Sequence, residues 1–268
     1  MSLKSNTILR ILSVLVLSIL LLVNCGKEHG EPNKIEDIDG NTYKVIRIGE
    51  QYWLAENLKT TSYSDGTPIL SLDNDSLWIT NTTGAYSIYP HDSIPGFNTE
   101  EEVIRSYGLL YNWAAVNNAK GLCPAGWRVP SDYDLLILEL YVAEKSVGFP
   151  ARALKVCQQV DSPLGGDCNT NLHPRWNIAL DTLGNPLPDF FGTNESGFSA
   201  LPGGLRSGSQ YHNVGRSAVF WSSSENNSVA GDTTFWAWSR TLSYNSERIF
   251  RHGSYKPQGF NVRCIRNE

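Results

Sequence analysis

Three tryptophans near the carboxyl end of the chain have the chemistry of a binding surface. The flat indole rings of Trp221, Trp236 and Trp238 stack well on the apolar faces of sugars, and Arg240 adds hydrogen-bond donors. Trp236 and Trp238 are two residues apart, so in a strand they point to the same face. A sheet must bury one face, so core packing is the favoured interpretation of these rings, and ligand binding is the alternative.

Catalytic chemistry finds less support in the sequence. The run Gly204-Leu-Arg-Ser-Gly does not fit the Gly-x-Ser-x-Gly pattern of serine hydrolases. A glycosidase needs two carboxylates about 5–9.5 Å apart, and sequence does not give that distance for Asp189, Glu195, Glu225 or Asp232. We therefore assign no catalytic residue. An enzyme acting on glycans or modifying proteins remains the alternative to a binding module.

The amino-terminal residues are typical of an export leader. Lys4 and Arg10 precede an apolar run, Ile11 to Val23, which is short for a membrane span. The run ends in Leu-Val-Asn-Cys, which resembles a bacterial lipobox in which Cys25 is acylated, although Asn24 departs from the usual small residue. We predict a lipoprotein signal peptide over 1–24, a polar tether over 25–34 and one domain over 35–268. The alternative is a secreted protein with an unmodified Cys25.

This leader predicts a protein anchored by lipid to the bacterial cell envelope, at the outer membrane. The formal net charge is −5 and no run of Lys or Arg stands out, which argues against a nucleic-acid partner. The expected contact with the membrane is through the lipid alone.

The four remaining cysteines of an exported chain predict disulfides. They are Cys123, Cys157, Cys168 and Cys264. No Cys-x-x-Cys pair is present, so a zinc site is the weaker interpretation. Three pairings are possible, and we favour Cys157 with Cys168 and Cys123 with Cys264.

The turn Gly121–Ser131 leads into the main predicted helix, Asp132 to Glu144. Pro124 and Gly126 favour a turn, and Ser131 with Asp134 resembles a capping box. Apolar residues at helical spacing predict a broad face that packs into a core. They are Leu135, Leu136, Leu138, Leu140 and Val142.

Strand and turn signals elsewhere indicate small antiparallel sheets. A hairpin is predicted from Tyr43–Ile48 and Gln51–Leu54, and a short helix over Leu110–Asn117. Later strands are predicted over Val219–Ser222, Thr234–Ser239, Arg248–His252 and Asn261–Ile265. With one main helix and long irregular segments, this pattern indicates the α+β class.

Six sequence blocks together resemble the Fibrobacter succinogenes major paralogous domain family. The blocks are Ile48–Leu58, Tyr107–Trp113, Gly121–Ser131, Gly197–Arg206, Phe220–Glu225 and Gly259–Arg266. The resemblance covers roughly Ile35 to the carboxyl terminus. It implies a C-type-lectin-like fold, related to that of formylglycine-generating enzymes, in a family whose activity is largely unassigned.

The resemblance implies three further expectations. The amino-terminal and carboxyl-terminal strands should pair, placing Lys44–Ile48 beside Asn261–Ile265. Formylglycine chemistry is not expected, because the stretch Ser239–His252 lacks the two cysteines that those enzymes use. Lectin-like sites hold sugar diols through calcium, and Glu225, Asn226, Asn227 and Asp232 have suitable oxygens. A Glu-Pro-Asn tripeptide of the kind found in sugar-binding lectins occurs only at Glu31–Asn33, in the predicted tether and not beside these residues, so a polar turn is the other interpretation of them.

These observations predict a non-catalytic binding or interaction module of an envelope lipoprotein. A polysaccharide or an envelope protein is the expected partner. Calcium is a possible cofactor, held by Glu225, Asn226 and Asp232. A structural surface protein without a small ligand is the second alternative.

Overall fold

Short strands joined by irregular segments make up most of the fold. A computed structural model describes residues 33–73, 75–160, 168–227 and 235–267, which form thirteen strands, five α-helices and two short 3-10 helices. The helices are α1 (Asp75–Thr80), α2 (Glu100–Tyr107), α3 (Trp113–Val116), α4 (Asp132–Lys145) and α5 (Pro150–Leu154), with 3-10 turns at His91–Ser93 and Pro188–Phe190. The predicted α+β character is confirmed.

The strands form three sheets that are mainly antiparallel. The strands are β1 (Lys34–Glu36), β2 (Thr42–Ile48), β3 (Gln51–Leu54), β4 (Leu70–Ser71), β5 (Ala85–Ser87), β6 (Leu110–Tyr111), β7 (Trp127–Arg128), β8 (Gly203–Ser207), β9 (Gln210–Val214), β10 (Ser217–Glu225), β11 (Trp236–Ser243), β12 (Ile249–Tyr255) and β13 (Ile265–Arg266). Their orders are β1-β2-β3-β13-β7, β12-β11-β10-β8-β9 and β4-β5-β6. The β4–β5 and β8–β10 pairs are parallel.

The first and last described strands share a sheet, but not with the predicted pairing. The hairpin of β2 and β3 is confirmed, with Ile48 opposite Gln51. The predicted contact of Lys44–Ile48 with the last strand is wrong, because β3 lies between β2 and β13 and Ile265 pairs with Trp53. The predicted helix over Leu110–Asn117 is shorter, because its first two residues form β6.

Helix α4 begins at the predicted cap. Ser131 Oγ accepts from Asp134 N (3.1 Å), and the Asp134 carboxylate accepts from Ser131 N (2.6 Å). Arg128 donates to both oxygens of the same carboxylate, at 2.5 and 3.0 Å. Burial raises the pKa of Asp134, but the hydrogen bonds from Arg128 and Ser131 outweigh it and hold the pKa below its usual value.

Replacing Asp134 by alanine is expected to lower the free energy of unfolding by about 2 kcal/mol at neutral pH, because the cap and the Arg128 pair are both lost. Since the folded-state pKa is lowered, this stabilisation is fully present above the unfolded pKa and is lost as pH falls through the folded pKa. Urea unfolding of the wild type and of Asp134→Ala, at pH 7 and at a series of lower pH values, measures the difference in the free energy of unfolding. A difference that stays constant down to the most acidic pH would contradict the assignment.

The apolar residues of α4 lie on two sides of the helix rather than on one. Leu135, Leu138 and Val142 are buried in a core cluster that contains residues of both five-stranded sheets. Leu136 and Leu140 are 40% and 57% exposed. The prediction that all five pack into one core is therefore wrong for these two residues, because they lie on the outer side of the helix.

Both favoured disulfides are present. Cys123 is joined to Cys264, with Cα atoms 6.0 Å apart, and Cys157 to Cys168, with Cα atoms 4.7 Å apart. The first ties the turn before α4 to the segment that leads into β13.

Two predictions about the amino terminus lie outside the described residues. They are the signal peptide with Cys25, and the tether apart from its last two residues. Among the residues that the structure describes, no helix is long and apolar enough to cross a membrane.

Candidate functional site

Trp221 belongs to the core and does not face solvent. It is fully buried, its indole N–H donates to Tyr111 O at 2.8 Å, and its ring lies 4.2 Å from that of Phe260. The favoured interpretation of core packing is confirmed for this residue. A role in ligand contact does not fit its burial.

Trp236 and Trp238 share one face of β11, as predicted, and Ala237 is buried on the other face. Both rings are half-buried rather than enclosed, so core packing is wrong for this pair. The Arg251 guanidinium lies 3.2 Å from the centre of the Trp238 ring and covers it. The centre of the Trp236 ring lies 6.0 Å from that of Tyr255.

Arg240 is buried and braces helix α4. Its guanidinium donates to Asp132 Oδ1 at 2.7 Å, and Nε lies 3.6 Å from Glu139 Oε2. Arg251 donates to the same aspartate, at 2.9–3.2 Å. The predicted role of Arg240 in ligand contact does not fit these bonds, because its donors face the helix rather than solvent.

The predicted calcium residues do not converge in the described part of the chain. Glu225 Oε1 accepts from Lys256 Nζ at 2.8 Å, which forms an ion pair at the end of β10. Asn226 is buried, and a Cβ atom on Gly253 would lie only 2.1 Å from its Nδ2. Asn227 is exposed in a turn, and Asp232 lies outside the described residues. Among the residues described, no group of three His, Cys, Asp or Glu side chains could hold a metal ion.

A cleft of about 410 Å³ opens beside this ion pair. Its volume lies within the range of roughly 300–1,000 Å³ that small-molecule sites occupy. Its walls come from the end of α1 and the residues after it, from α3 and the residues after it, from the residue before β11, and from the end of β12. The residues lining this cleft are Ile79, Asn81, Thr82, Trp113, Ala114, Asn117, Asn118, Phe235, Tyr255, Lys256 and Pro257.

One wall of the cleft is aromatic. Phe235 and Tyr255 are 47% and 39% exposed, and their ring centres lie 6.0 Å apart with an angle of 40° between the planes. Lys256 N donates to Phe235 O at 2.8 Å, which fixes the two segments beside each other. These two rings therefore offer an apolar surface to a ligand without any rearrangement of the backbone.

Lys256 connects the aromatic wall to α3. Its ammonium group lies 4.4 Å from the centre of the Trp113 ring and forms an ion pair with Glu225. Trp113 N donates to Lys256 O at 3.0 Å, and its indole N–H donates to Ser222 O at 2.9 Å. These bonds hold the floor of the cleft rigid.

The opposite wall of the cleft is polar, and some of its side chains are free to form hydrogen bonds with a ligand. Asn81 and Asn118 are committed to internal bonds, with Asn81 Oδ1 accepting from Gly84 N at 2.9 Å and Asn118 Nδ2 donating to Thr83 O at 3.1 Å. Asn117 and Thr82 are exposed, and their side chains have no partner within the described ranges. These two side chains can therefore bond to a ligand.

The described lining of the cleft combines aromatic faces, amide and hydroxyl groups, and the ammonium group of Lys256. Aromatic faces beside amide and hydroxyl groups suit a ligand with apolar faces and many hydroxyls.

Two groups with strongly shifted pKa values lie away from this cleft. Burial lowers the pKa of Lys155 to about 7, yet its amine donates to the carbonyls of Phe190, Ser243 and Ser246 at 2.5–3.1 Å. Burial also lowers the pKa of His173 to about 4, and Tyr107 Oη lies 2.7 Å from its Nδ1. Their partners are internal, so we assign both groups to the framework.

The residues that line the cleft differ from those that the sequence predicted as a binding site. The sequence predicted no binding role for Phe235 or Trp113. Tyr255 and Asn117 carried no signal by themselves. The turn residues that follow β12 and α3 were the available sign, because binding residues are often carried on loops at the ends of rigid elements.

A family model described as the Fibrobacter succinogenes major domain matches residues 46–266. No curated protein and no solved structure matches the chain.

Proposed function

We propose that this chain, which belongs to the Fibrobacter succinogenes major domain family, is a non-catalytic module that binds part of a glycan in its cleft. The observation that carries the proposal is the pair of half-exposed rings, Phe235 and Tyr255, beside the exposed side chains of Asn117 and Thr82. Sugars present alternating apolar faces and hydroxyl rims, which match these two walls.

The proposed scaffold is a C-type-lectin-like fold. Three features support it: mainly antiparallel sheets, one main helix, and two disulfides that brace long irregular segments. The first and last strands also belong to one sheet. Fold alone does not fix a function, so the ligand class rests on the cleft and not on the scaffold.

The proposed setting is the bacterial envelope, with a lipid on Cys25. Two disulfides suit an oxidising compartment, and the lipobox-like sequence precedes a polar stretch. Labelling of cells with radioactive palmitate is expected to mark the protein, and Cys25→Ser is expected to abolish the label. Equal labelling of both proteins would contradict the anchor.

A glycan array tests the ligand class. The protein, expressed from the full chain with its disulfides formed, is applied to bacterial and plant glycans with and without a calcium chelator. Selective binding that survives chelation is the expected result, because Glu225 is paired with Lys256. Binding lost on chelation would instead make Glu225, Asn226 and Asp232 calcium ligands, while silence of a folded protein across the array would overturn the glycan proposal.

A further inference from the structure

Helix α4 carries a second apolar stripe that the fold leaves in contact with solvent. Its members are Tyr133, Leu136, Ile137, Leu140 and Tyr141, which are 68%, 40%, 37%, 57% and 37% exposed. They recur at intervals of three and four residues, so they lie along one side of the helix. The opposite side already packs into the core through Leu135, Leu138 and Val142. A helix that is apolar on both sides normally has both sides covered.

The charged residues near the stripe are committed elsewhere. Asp132 is bonded to Arg240 and Arg251, Asp134 to Arg128, and Glu139 lies beside Arg240. Glu144 and Lys145, which follow the stripe within one turn, pair with each other at 3.2 Å. The outer stripe itself therefore contains no charge over two turns of helix. This pattern is typical of a buried contact rather than of a solvated helix face.

The exposed area is close to what a protein interface needs at its centre. With side-chain areas of about 150–250 Å² for large apolar residues, the five exposed fractions leave roughly 400–500 Å² of the stripe in water. The largest apolar patch of a typical monomer is about 300–600 Å², and a stable interface buries about 800 Å² per partner. The stripe alone therefore supplies about half of the area that such an interface buries on each partner.

The order of residues along the stripe is self-complementary. A tyrosine stands at each end and the aliphatic residues lie between, so the stripe has nearly the same chemistry in either direction. Two copies that pack antiparallel around a twofold axis would place Ile137 at the axis. Tyr133 of each copy would then meet Tyr141 of the other. This isologous arrangement closes, so it yields a dimer and not a filament.

A surface depression beside Tyr141 could receive the side chain of Tyr133 from the second copy of such a dimer. It has a volume of about 170 Å³ and is lined in part by Arg47, Tyr141, Lys145 and Glu195. A cavity of about 150 Å³ accepts a benzene ring, so this depression has room for the ring of Tyr133 from a second copy. Arg47 and Lys145 on its rim can donate to the phenolic oxygen. An aromatic anchor in a pocket is the usual form of an interface hot spot.

From these observations we infer that the protein is a homodimer in solution, joined through the outer stripe of α4 in an antiparallel pair. The inference is independent of the ligand proposed for the cleft.

Sedimentation equilibrium of the protein purified from the full chain tests the dimer. The expected mass is twice that of one chain at micromolar concentration. Ile137→Glu and Leu140→Glu each place a charge in the stripe and are expected to give folded monomers, with a circular dichroism spectrum like that of the wild type. The matched control is Leu183→Glu, which changes a leucine that is 85% exposed outside the stripe and is expected to remain dimeric.

Cysteine cross-linking tests the antiparallel register. Ile137→Cys is expected to form a disulfide-linked dimer on oxidation, with the unsubstituted chain as the control for Cys25. Tyr133→Cys and Tyr141→Cys are expected to cross-link when mixed but not separately, because their helix positions are about 12 Å apart. A wild-type protein that stays monomeric, a dimer that survives both glutamate substitutions, or cross-linking of Tyr133→Cys with itself would overturn the proposal. A monomer that binds lipid vesicles through the stripe would overturn it as well.

Discussion

Replacing Arg263 by methionine is expected to lower the free energy of unfolding by about 3–5 kcal/mol. Arg263 is 2% exposed, and its guanidinium donates to Asn57 Oδ1 at 2.7 Å and to Leu54 O at 3.2 Å. It also donates to Phe198 O and lies 4.3 Å from the centre of that ring. Methionine keeps the apolar stem, so the loss comes from buried acceptors that are left without a donor.

Thermal unfolding followed by circular dichroism measures this effect. For a domain of this size we expect Tm to fall by roughly 10 °C. The matched control is Arg216→Met, since Arg216 is exposed and its guanidinium lies 5.9 Å from the Tyr244 ring centre. That control is expected to stay within about 0.5 kcal/mol of the wild type. An Arg263→Met protein as stable as the control would show that the buried guanidinium does not join its own segment of the chain to those of Leu54–Asn57 and Phe198.

Removing the disulfide between Cys123 and Cys264 is expected to destabilise the domain by about 5 kcal/mol on the chain-entropy model. These residues are 141 apart in sequence, so the bond restrains a large part of the unfolded chain. Alanine at both positions avoids a free thiol. Both cysteines are buried, and each substitution removes only the sulfur atom, so the gap that remains is small and apolar. Urea unfolding of the double variant gives the difference in free energy.

The second disulfide provides the comparison. Cys157 and Cys168 are only 11 residues apart, and alanine at both positions is expected to cost about 3 kcal/mol on the same model. Equal losses for the two pairs, or a larger loss for the short loop, would contradict a stabilisation that grows with loop length.

Local signals predicted the elements that depend on nearby residues. The cap at Ser131, helix α4 and the β2–β3 hairpin follow from spacing and turn chemistry within a few residues. The disulfide pairing could be predicted because four cysteines allow only three pairings. Pairing between strands distant in sequence was harder to predict: β13 pairs with β3 and not, as predicted, with β2.

Burial of charged residues was not predictable from the sequence. Arg206, Arg240 and Arg263 are all at most 3% exposed, although arginine is a surface residue in most proteins. Each finds acceptors that are distant in sequence, such as Leu72 O for Arg206 and Phe198 O for Arg263. Sequence periodicity carries no information about such partners.

The cleft was also beyond sequence reasoning. Its walls come from segments near residues 79–82, 113–118, 235 and 255–257, which only the tertiary fold brings together. The tryptophans that stood out by type instead serve the core, as Trp221 does, or lie under an arginine, as Trp238 does. The cleft lies near the same end of the sheet as the predicted residues, but different side chains line it.

Calorimetric titration of a glycan selected on the array tests the central claim most directly. Tyr255→Ala and Phe235→Ala are each expected to weaken binding by about 1–2 kcal/mol, which is five- to thirtyfold in Kd. The matched control is Phe250→Ala, which removes a ring that is 37% exposed on the same strand as Tyr255 but outside the cleft. Retained affinity in the control with loss in both cleft variants is the predicted result. Unchanged affinity in the two cleft variants would show that the glycan binds elsewhere and would contradict the assignment of the cleft.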